Sequence, residues 1–381
     1  MDWLVFGDDW GAHPSTTQHL VRQLPPADRV VWIDSIGMRA PGLNAKDVRR
    51  AAKKLFRGTS RGPAAVASPS SPAGGPTNPR VVRPKIVPLH LIAGIRAVNG
   101  RLLTTQVHQA LDEIGASRPV LLTSTPVAEA YLERLRAQRI IYLRLDDYAH
   151  FPGVDPRLVH HFEPRIMSRA DAIVFTARAL EPPDFGGKSH YLPQGVDWQH
   201  FASSCLEPPQ TRVLGFFGLV SERIDHELVA AVASKCPGWT LQFVGNSDNV
   251  HPSLRQLANI EFKPAVPYAN LPSVVATWRA AWIPYARDEL ANSVNPLKLR
   301  EYLASGLPTL ATPLPEIQEL ARSADIRISS DVHEIAQWLD LTSQSDSVEA
   351  RRLRRDSMRN HSWRSRSEEL RRIAAGAGSA G

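Results

Sequence analysis

One alternation runs along most of the chain. A short run of β-branched and apolar residues is followed by a longer mixed segment in which apolar residues return every third or fourth position. In the first half the runs lie at 3–7, 30–33, 120–123, 140–145 and 172–176, and segments such as 126–136 and 156–169 between them carry helical spacing. The second half repeats the rhythm with runs at 213–218, 240–244, 260–263, 281–284 and 309–311. Apolar runs without strict alternation suit strands covered on both faces, and strands separated by helices need crossover connections. The pattern therefore predicts an α/β protein of two Rossmann-like domains. Each is a parallel sheet flanked by helices, with ligand loops at the carboxyl ends of its strands.

The join is expected in the polar, proline-containing stretch 201–211, FASSCLEPPQT. That gives domains at 1–204 and 205–345, with a hinge that leaves a cleft between their facing sheets. Residues 346–381, rich in Arg, Ser and Glu, read as exposed helices that pack back across the first domain, followed by a disordered tail. Segment 58–80, GTSRGPAAVASPSSPAGGPTNPR, has almost nothing to bury and is expected to be a mobile loop. Just before it, 46–57, KDVRRAAKKLFR, places six basic residues beside Val48, Leu55 and Phe56. It reads equally as a plain basic surface helix or as an interfacial helix on anionic lipid.

Composition adds bounds. At 381 residues, 43% hydrophobic and 22% charged, the chain is long enough for two cores. No apolar stretch approaches the roughly 20 residues that a spanning helix needs. The opening MDWLVFGDDWGAHP enters a strand and then acidic residues, unlike a secretory signal. Cys205 and Cys236 are too few for a disulfide framework, and the expected location is cytoplasmic. A net charge of +7 attracts anions of any kind. Nucleic acid is the least favoured of them, because the basic segment lacks interleaved aromatics and a reader motif.

Candidate chemistry concentrates in 295–308, NPLKLREYLASGLP. Pro296 suits a first helical turn and Gly306 a helix end. Lys298 and Glu301 then share one face at the helix start, where unpaired N–H groups favour an anion. The pair reads either as a diphosphate and ribose site or as an i,i+3 surface ion pair. Gly218, after the strand at 213–218, reads as turn geometry or as a phosphate-loop glycine. Two acidic pairs stand at strand ends, Asp8-Asp9 and Asp146-Asp147. A carboxylate there serves as a general base, typically worth ~10²–10⁴ in rate, or as a cap for the next turn. Gly11, His13 and Ser15 surround a polar loop able to meet an acceptor or a phosphate. With no His or Cys at ligand spacing, neither a metal nor another cofactor is expected.

The stretch from Pro296 through Lys298, Glu301, Tyr302, Leu303, Ala304 and Gly306 to Pro308 resembles the donor-binding signature of GT-B glycosyltransferases of the family 1/4 type. The resemblance implies two Rossmann-like domains and metal-independent transfer from a nucleotide-diphosphate sugar, with a uridine diphosphate donor favoured. By the same likeness Glu301 binds the nucleotide ribose, and Asn295, Lys298 and Leu299 belong to the donor site. Arg223, in VLGFFGLVSERID beside Gly218, is the residue that meets the leaving diphosphate. LPQGVDWQHF, with Gly195 and Val196, is similar to the element that closes the first domain in such enzymes. The family often carries an acid eight positions before the Glu, and here that position is Ser293. YLRLDDY is similar to a region in a subgroup that builds bacterial exopolysaccharide and teichuronic-type polymers and includes the xanthan glucuronosyltransferase. That likeness makes Asp147 or Asp146 the base, and it implies a glycan or lipid-linked acceptor in cell-surface polysaccharide synthesis, with hexosyl or glycuronosyl transfer and peripheral membrane attachment through 46–57. A nucleotide-sugar 2-epimerase of the same fold and a non-catalytic nucleotide-sugar-binding protein are the alternatives.

Overall fold

The inner strands Val120–Thr123, Ala172–Phe175 and Ala280–Ile283 are buried along their whole length, as a sheet covered by helices on both faces requires. In the computed structural model, which describes residues 1–12, 15–38, 78–151, 153–247 and 250–376, the strands form two parallel sheets. The first holds β1 (Asp2–Phe6), β2 (Arg29–Ile33), β3 (Arg80–Val82), β4 (Val120–Thr123), β5 (Arg139–Arg144), β6 (Ala172–Phe175) and β7 (Ser189–Tyr191), in the order β3-β2-β1-β4-β5-β6-β7. The second holds β8 (Val213–Phe217), β9 (Thr240–Val244), β10 (Ile260–Lys263), β11 (Ala280–Ile283), β12 (Thr309–Ala311) and β13 (Ile326–Ile328), in the order β10-β9-β8-β11-β12-β13. Strand order reverses between β1 and β4 and again between β8 and β11. The loops at the carboxyl ends there splay apart, which makes each reversal the natural crevice of its sheet.

All ten runs read from the sequence are strands. The three left unread, β3, β7 and β13, are edge strands of three residues each, too short to show a period. Arg80, assigned above to the end of a loop, instead opens β3. The rest of 58–80 that precedes Asn78 lies outside the described residues, as does all of 46–57. Segment 126–136, read as helical, is wound as 3₁₀ turns over Pro126–Arg134, burying Val127, Ala128, Tyr131 and Leu132. Over nine residues the spacing of buried positions does not separate a threefold from a 3.6-fold turn.

The chain divides into two compact units. Among the described residues the first runs up to Pro193 and includes the chain again from Arg366, while the second runs from Gln194 to Ser365. The dividing point thus lies at 193/194 and not at 204/205, because 194–204 pack with the second unit's own elements. Phe201 is fully buried and stacks on Phe217, and the indole N–H of Trp198 donates to the Arg355 carbonyl at 2.8 Å.

The C-terminal helices are less exposed than their composition suggests. In the first unit the end of helix Trp363–Ala374 buries Leu370 and Ile373, Ser367 Oγ donates to the Leu20 carbonyl at 2.9 Å, and Arg371 pairs with Asp28 at 2.9 Å. In the second, helix Val348–Ser357 carries Arg351 into the interior. Its side chain has no exposure, its Nε donates to Asp346 at 2.7 Å, and Nη2 reaches the carbonyls of Trp278 and Arg279. Asp346 also accepts from Arg354 at 2.9 Å. Removing the carboxylate strands a buried guanidinium, so Asp346→Ala is expected to lower stability by about 3–5 kcal/mol in urea denaturation. A loss below about 1 kcal/mol would show that the pair is not the anchor of this helix.

Candidate active site

In the second unit the chemistry-bearing residues gather at the carboxyl ends of β8 and β11, on either side of the strand-order reversal. Gly218 directly follows β8 and Gly245 directly follows β9, both at positive φ, +125° and +150°. A Cβ on Gly245 would sit 2.0 Å from the Gly218 carbonyl oxygen, so a glycine is required at 245 for these strand ends to run together. The stem of Lys298 lies over Gly218, where a Cβ would fall 2.3 Å from its Cε. The Lys298 ammonium donates to the Tyr285 hydroxyl at 3.4 Å and stands 5.6 Å from the Phe216 ring centroid. The hydrogen-bond partner of the ammonium is thus Tyr285, beyond β11, while its charge still bears on the Glu301 carboxyl.

Lys298 belongs to helix Leu297–Ala304, which Pro296 opens without a side-chain cap on its first N–H groups. An uncapped helix start with a lysine in its first turn is a partial positive charge backed by a full one, the electrostatics that suit an anion. Glu301 follows one turn on. Burial pushes its carboxyl up to about 7; the Lys298 charge opposes that shift, and the nearby Asp197 carboxylate adds to it. The same two carboxylates bear on Tyr268, whose hydroxyl burial already holds well above its ordinary range. Behind them Tyr302 is fully buried, and its hydroxyl accepts the Phe217 N–H at 3.0 Å, tying the helix to the end of β8.

Other residues expected at the donor site are placed differently. Leu299 has no exposure and packs in the core, so its backbone alone faces the helix start. Asn295 is buried, donates to Glu316 at 2.8 Å and accepts from Arg300, which places it in the support of the loop. Ser293 Oγ donates to the Leu290 carbonyl at 2.8 Å and closes the short helix Glu289–Asn292. The Arg223 carbonyl accepts from Ala286 at 2.8 Å, and the residue lines a small recess with Tyr285, Asp288 and Val294. Asp225 caps helix His226–Lys235 through the Leu228 N–H at 2.9 Å. Gly195 and Val196 pair with the start of the last helix: Val196 exchanges backbone hydrogen bonds with His361 and Trp363, and a Cβ on Gly195 would meet the Trp363 ring at 2.6 Å.

In the first unit the carboxyl ends of β1, β4 and β5 bring Asp8, Ser124 and Asp146-Asp147 to one edge. Tyr148 joins them. Burial raises its hydroxyl pKa well above the usual value, the carboxylates of Asp146, Asp8 and Glu163 raise it further, and a hydrogen bond with Ser124 opposes them. Asp147 opens the turn Tyr148–His150 without using its side chain as a cap; its Oδ2 lies 2.8 Å from His150 Nδ1 instead. The strand end beneath is anchored by Glu163, which accepts from the Tyr142 hydroxyl at 2.6 Å and pairs with Arg144 at 3.1 Å. Ser15 donates to Asp8 at 2.9 Å and caps helix Thr16–Arg22 through Gln18 N–H at 3.3 Å. Gly11, at φ +78°, donates its N–H to Gln18 Oε1 at 3.0 Å, so both hold the loop that carries Asp8. His13 lies outside the described residues. Among the described residues no three His, Cys, Asp or Glu side chains form a metal-holding group.

Sequence reading missed His150, Tyr148, Asp197, Tyr285 and Gly245 as members of these sites. Only Gly245 left a usable signal, because FVG at the end of β9 copies FFG at the end of β8.

Residues 223–372 match the sequence model of the family described as glycosyl transferase-like. TuaH of Bacillus subtilis (strain 168), named for teichuronic acid biosynthesis as a glycosyltransferase, is 25% identical over 227 residues, or 54% of this chain. That alignment takes in 57% of the relative's own length. Among solved structures, HepE of Anabaena in complex with UDP-glucose superposes with a TM-score of 0.65 at 12% identity, covering 99% of this chain and 100% of the other. The catalytic domain of starch synthase IV from Arabidopsis thaliana, bound to ADP and acarbose, gives 0.60 at 9% identity and 99% of both chains. The fold is GT-B.

Gly218→Ala is expected to cost about 1–3 kcal/mol from the positive-φ position alone, with a further loss from the clash with Lys298. Combining it with Lys298→Ala should recover the clash component, which a double-mutant cycle in urea denaturation would report. Strict additivity of the two substitutions would mean that lysine and glycine are not packed against each other.

Proposed function

We propose that this chain is a GT-B glycosyltransferase that moves a sugar from a nucleotide-diphosphate donor, a uridine diphosphate sugar, to an acceptor hydroxyl without a metal ion. The observation that carries the reading is the assembly of Gly218, Lys298, the uncapped helix start and Glu301 at the reversal point of the second sheet. The diphosphate lies against Lys298 and the free N–H groups, with Arg223 beside it, and Glu301 accepts hydrogen bonds from the ribose diol. In the reaction the acceptor oxygen attacks the anomeric carbon, the bond from that carbon to the diphosphate breaks, and the acceptor proton passes to a carboxylate. Asp147, oriented by His150, is that base in this reading, with Asp146 the neighbouring candidate. The departing charge stays on the diphosphate, where each charge-assisted hydrogen bond is worth roughly 1.5–3 kcal/mol.

UDP-glucose is the ligand of HepE, and teichuronic acid biosynthesis is the role named for TuaH. These support a uridine donor and a hexosyl or glycuronosyl transfer to a glycan or lipid-linked acceptor in cell-surface polysaccharide synthesis. A cytoplasmic enzyme peripheral to the membrane fits that role, and among the described residues no helix is long and apolar enough to cross a membrane.

Calorimetric titration with uridine, guanosine and thymidine diphosphates, with magnesium or EDTA, tests the donor site. One diphosphate should bind regardless of EDTA, and Glu301→Gln should weaken it at least tenfold. Failure of all three to bind would overturn the reading, whereas binding without turnover of any sugar donor would leave a non-catalytic binding protein.

The Glu301 carboxyl supplies a pH signature. Its folded pKa of about 7 stands above the ordinary 4.5, so between those values the folded protein holds a proton that the unfolded chain has released. Stability from this group is therefore complete below pH 4.5 and declines as pH rises to about 7. Donor binding has the opposite sign, because accepting from two ribose hydroxyls calls for the ionised form. UDP-glucose, whose phosphates do not titrate in this range, should bind up to about tenfold more tightly at pH 8 than at pH 6. Glu301→Gln should flatten that profile, and an unchanged slope in the variant would remove Glu301 from the ribose site.

A further inference from the structure

Helix Ala93–Glu113 buries Asn99, Leu103, Val107, Ala110 and Leu111 against the first sheet, yet its outer side is apolar as well. Val98 and Leu102 stand one turn apart and are 55% and 47% exposed; the half-buried Ile95 lies one turn before Val98 on the same face. Leu91 and Ile92, in the turn that leads into the helix, continue the stripe at 40% and 50%, and Val87 adds 37%. Nine large apolar side chains are this exposed among the described residues, and five of them fall within residues 87–102. Such clustering marks an interaction surface, where scattered single residues would not.

The charge along the segment that carries the stripe has one sign. From Val81 to Leu111 the sequence contains no Asp or Glu, but it contains Arg83, Lys85, Arg96 and Arg101. Arg83 has a side chain 90% exposed, 3.6 Å from Asp34, and Lys85 and Arg101 are exposed beside the stripe. We propose that this face, Val87 to Leu102 with its basic rim, docks on an anionic lipid bilayer, the apolar residues entering the acyl boundary and the arginines and lysine meeting headgroup phosphates. Apolar side chains on one line flanked by cations, in a segment without acids, is the composition of an interfacial element. A second copy of the chain is disfavoured as occupant because it would bring two basic rims together. The face belongs to the first unit and the donor residues to the second. It deepens the proposed function by setting the enzyme on the surface that holds a lipid-linked acceptor.

The test is sedimentation of the full chain with vesicles of phosphatidylglycerol and of phosphatidylcholine. Binding to the anionic vesicles is expected, with little to the neutral ones. Val98→Asp with Leu102→Asp should abolish it, and Arg83→Gln with Arg101→Gln should lower it about fivefold per charge removed. Neutralising the basic residues of 46–57 should leave the contribution of this face in place. Nucleotide titration of every variant, expected unchanged, separates this proposal from the donor-site reading, and circular dichroism confirms folding. No vesicle binding by the wild type, equal binding by Val98→Asp/Leu102→Asp, or a wild-type dimer that those substitutions dissociate would each overturn the proposal.

Discussion

The second unit turns on one close approach of backbone to backbone. Gly218 and Gly245 end adjacent strands, and the carbonyl of one occupies the space where the other would carry a Cβ. Because neither residue projects a side chain, Lys298 can lie over the strand end with its ammonium held by Tyr285. A larger residue at 218 would strain the positive-φ backbone and push aside the end of the lysine side chain. Site and fold are thus the same object here. The shape of this corner is set by backbone contacts, and Tyr302 fixes the helix to β8 through a hydrogen bond within the core.

That corner also explains why a carboxylate with a raised pKa is tolerated beside it. Covering Glu301 disfavours its charged form, Asp197 adds repulsion, and Lys298 is the cation that opposes both. Were stability the sole demand, a glutamine would serve better at this position, since it would carry no charge to desolvate. A carboxyl raised to about 7 one turn along a helix that starts uncapped is the kind of perturbed group that accompanies ligand sites.

Much of this was legible in the sequence, for identifiable reasons. Central strands such as 120–123 and 213–217 are continuous apolar runs because both faces are covered, and run length is visible without any partner. The edge strands and the winding of Pro126–Arg134 were not legible, since three residues carry no period and nine do not separate two helical pitches. At the site, Lys298 and Glu301 could be read because helix spacing places them together. Leu299 and Asn295 show the limit of the same motif: one residue sits in it for packing and the other for the internal bonds that hold its loop. Contacts made across the chain, Glu301 with Asp197 or Tyr148 with Asp8, have no local signature at all.

The longest helix shows the same lesson in reverse. Ala93–Glu113 escaped the sequence reading because apolar residues on two sides blur a single amphipathic stripe. A helix of that kind has two faces to account for, and the sheet covers only one, through Leu103 and Val107. Selection for folding alone would place polar residues at 98 and 102, as it does at Thr105 and Gln109 farther along the exposed side. Among the described residues nothing covers this side of the helix, and a segment without acids from 81 to 111 suits an anionic surface as its partner.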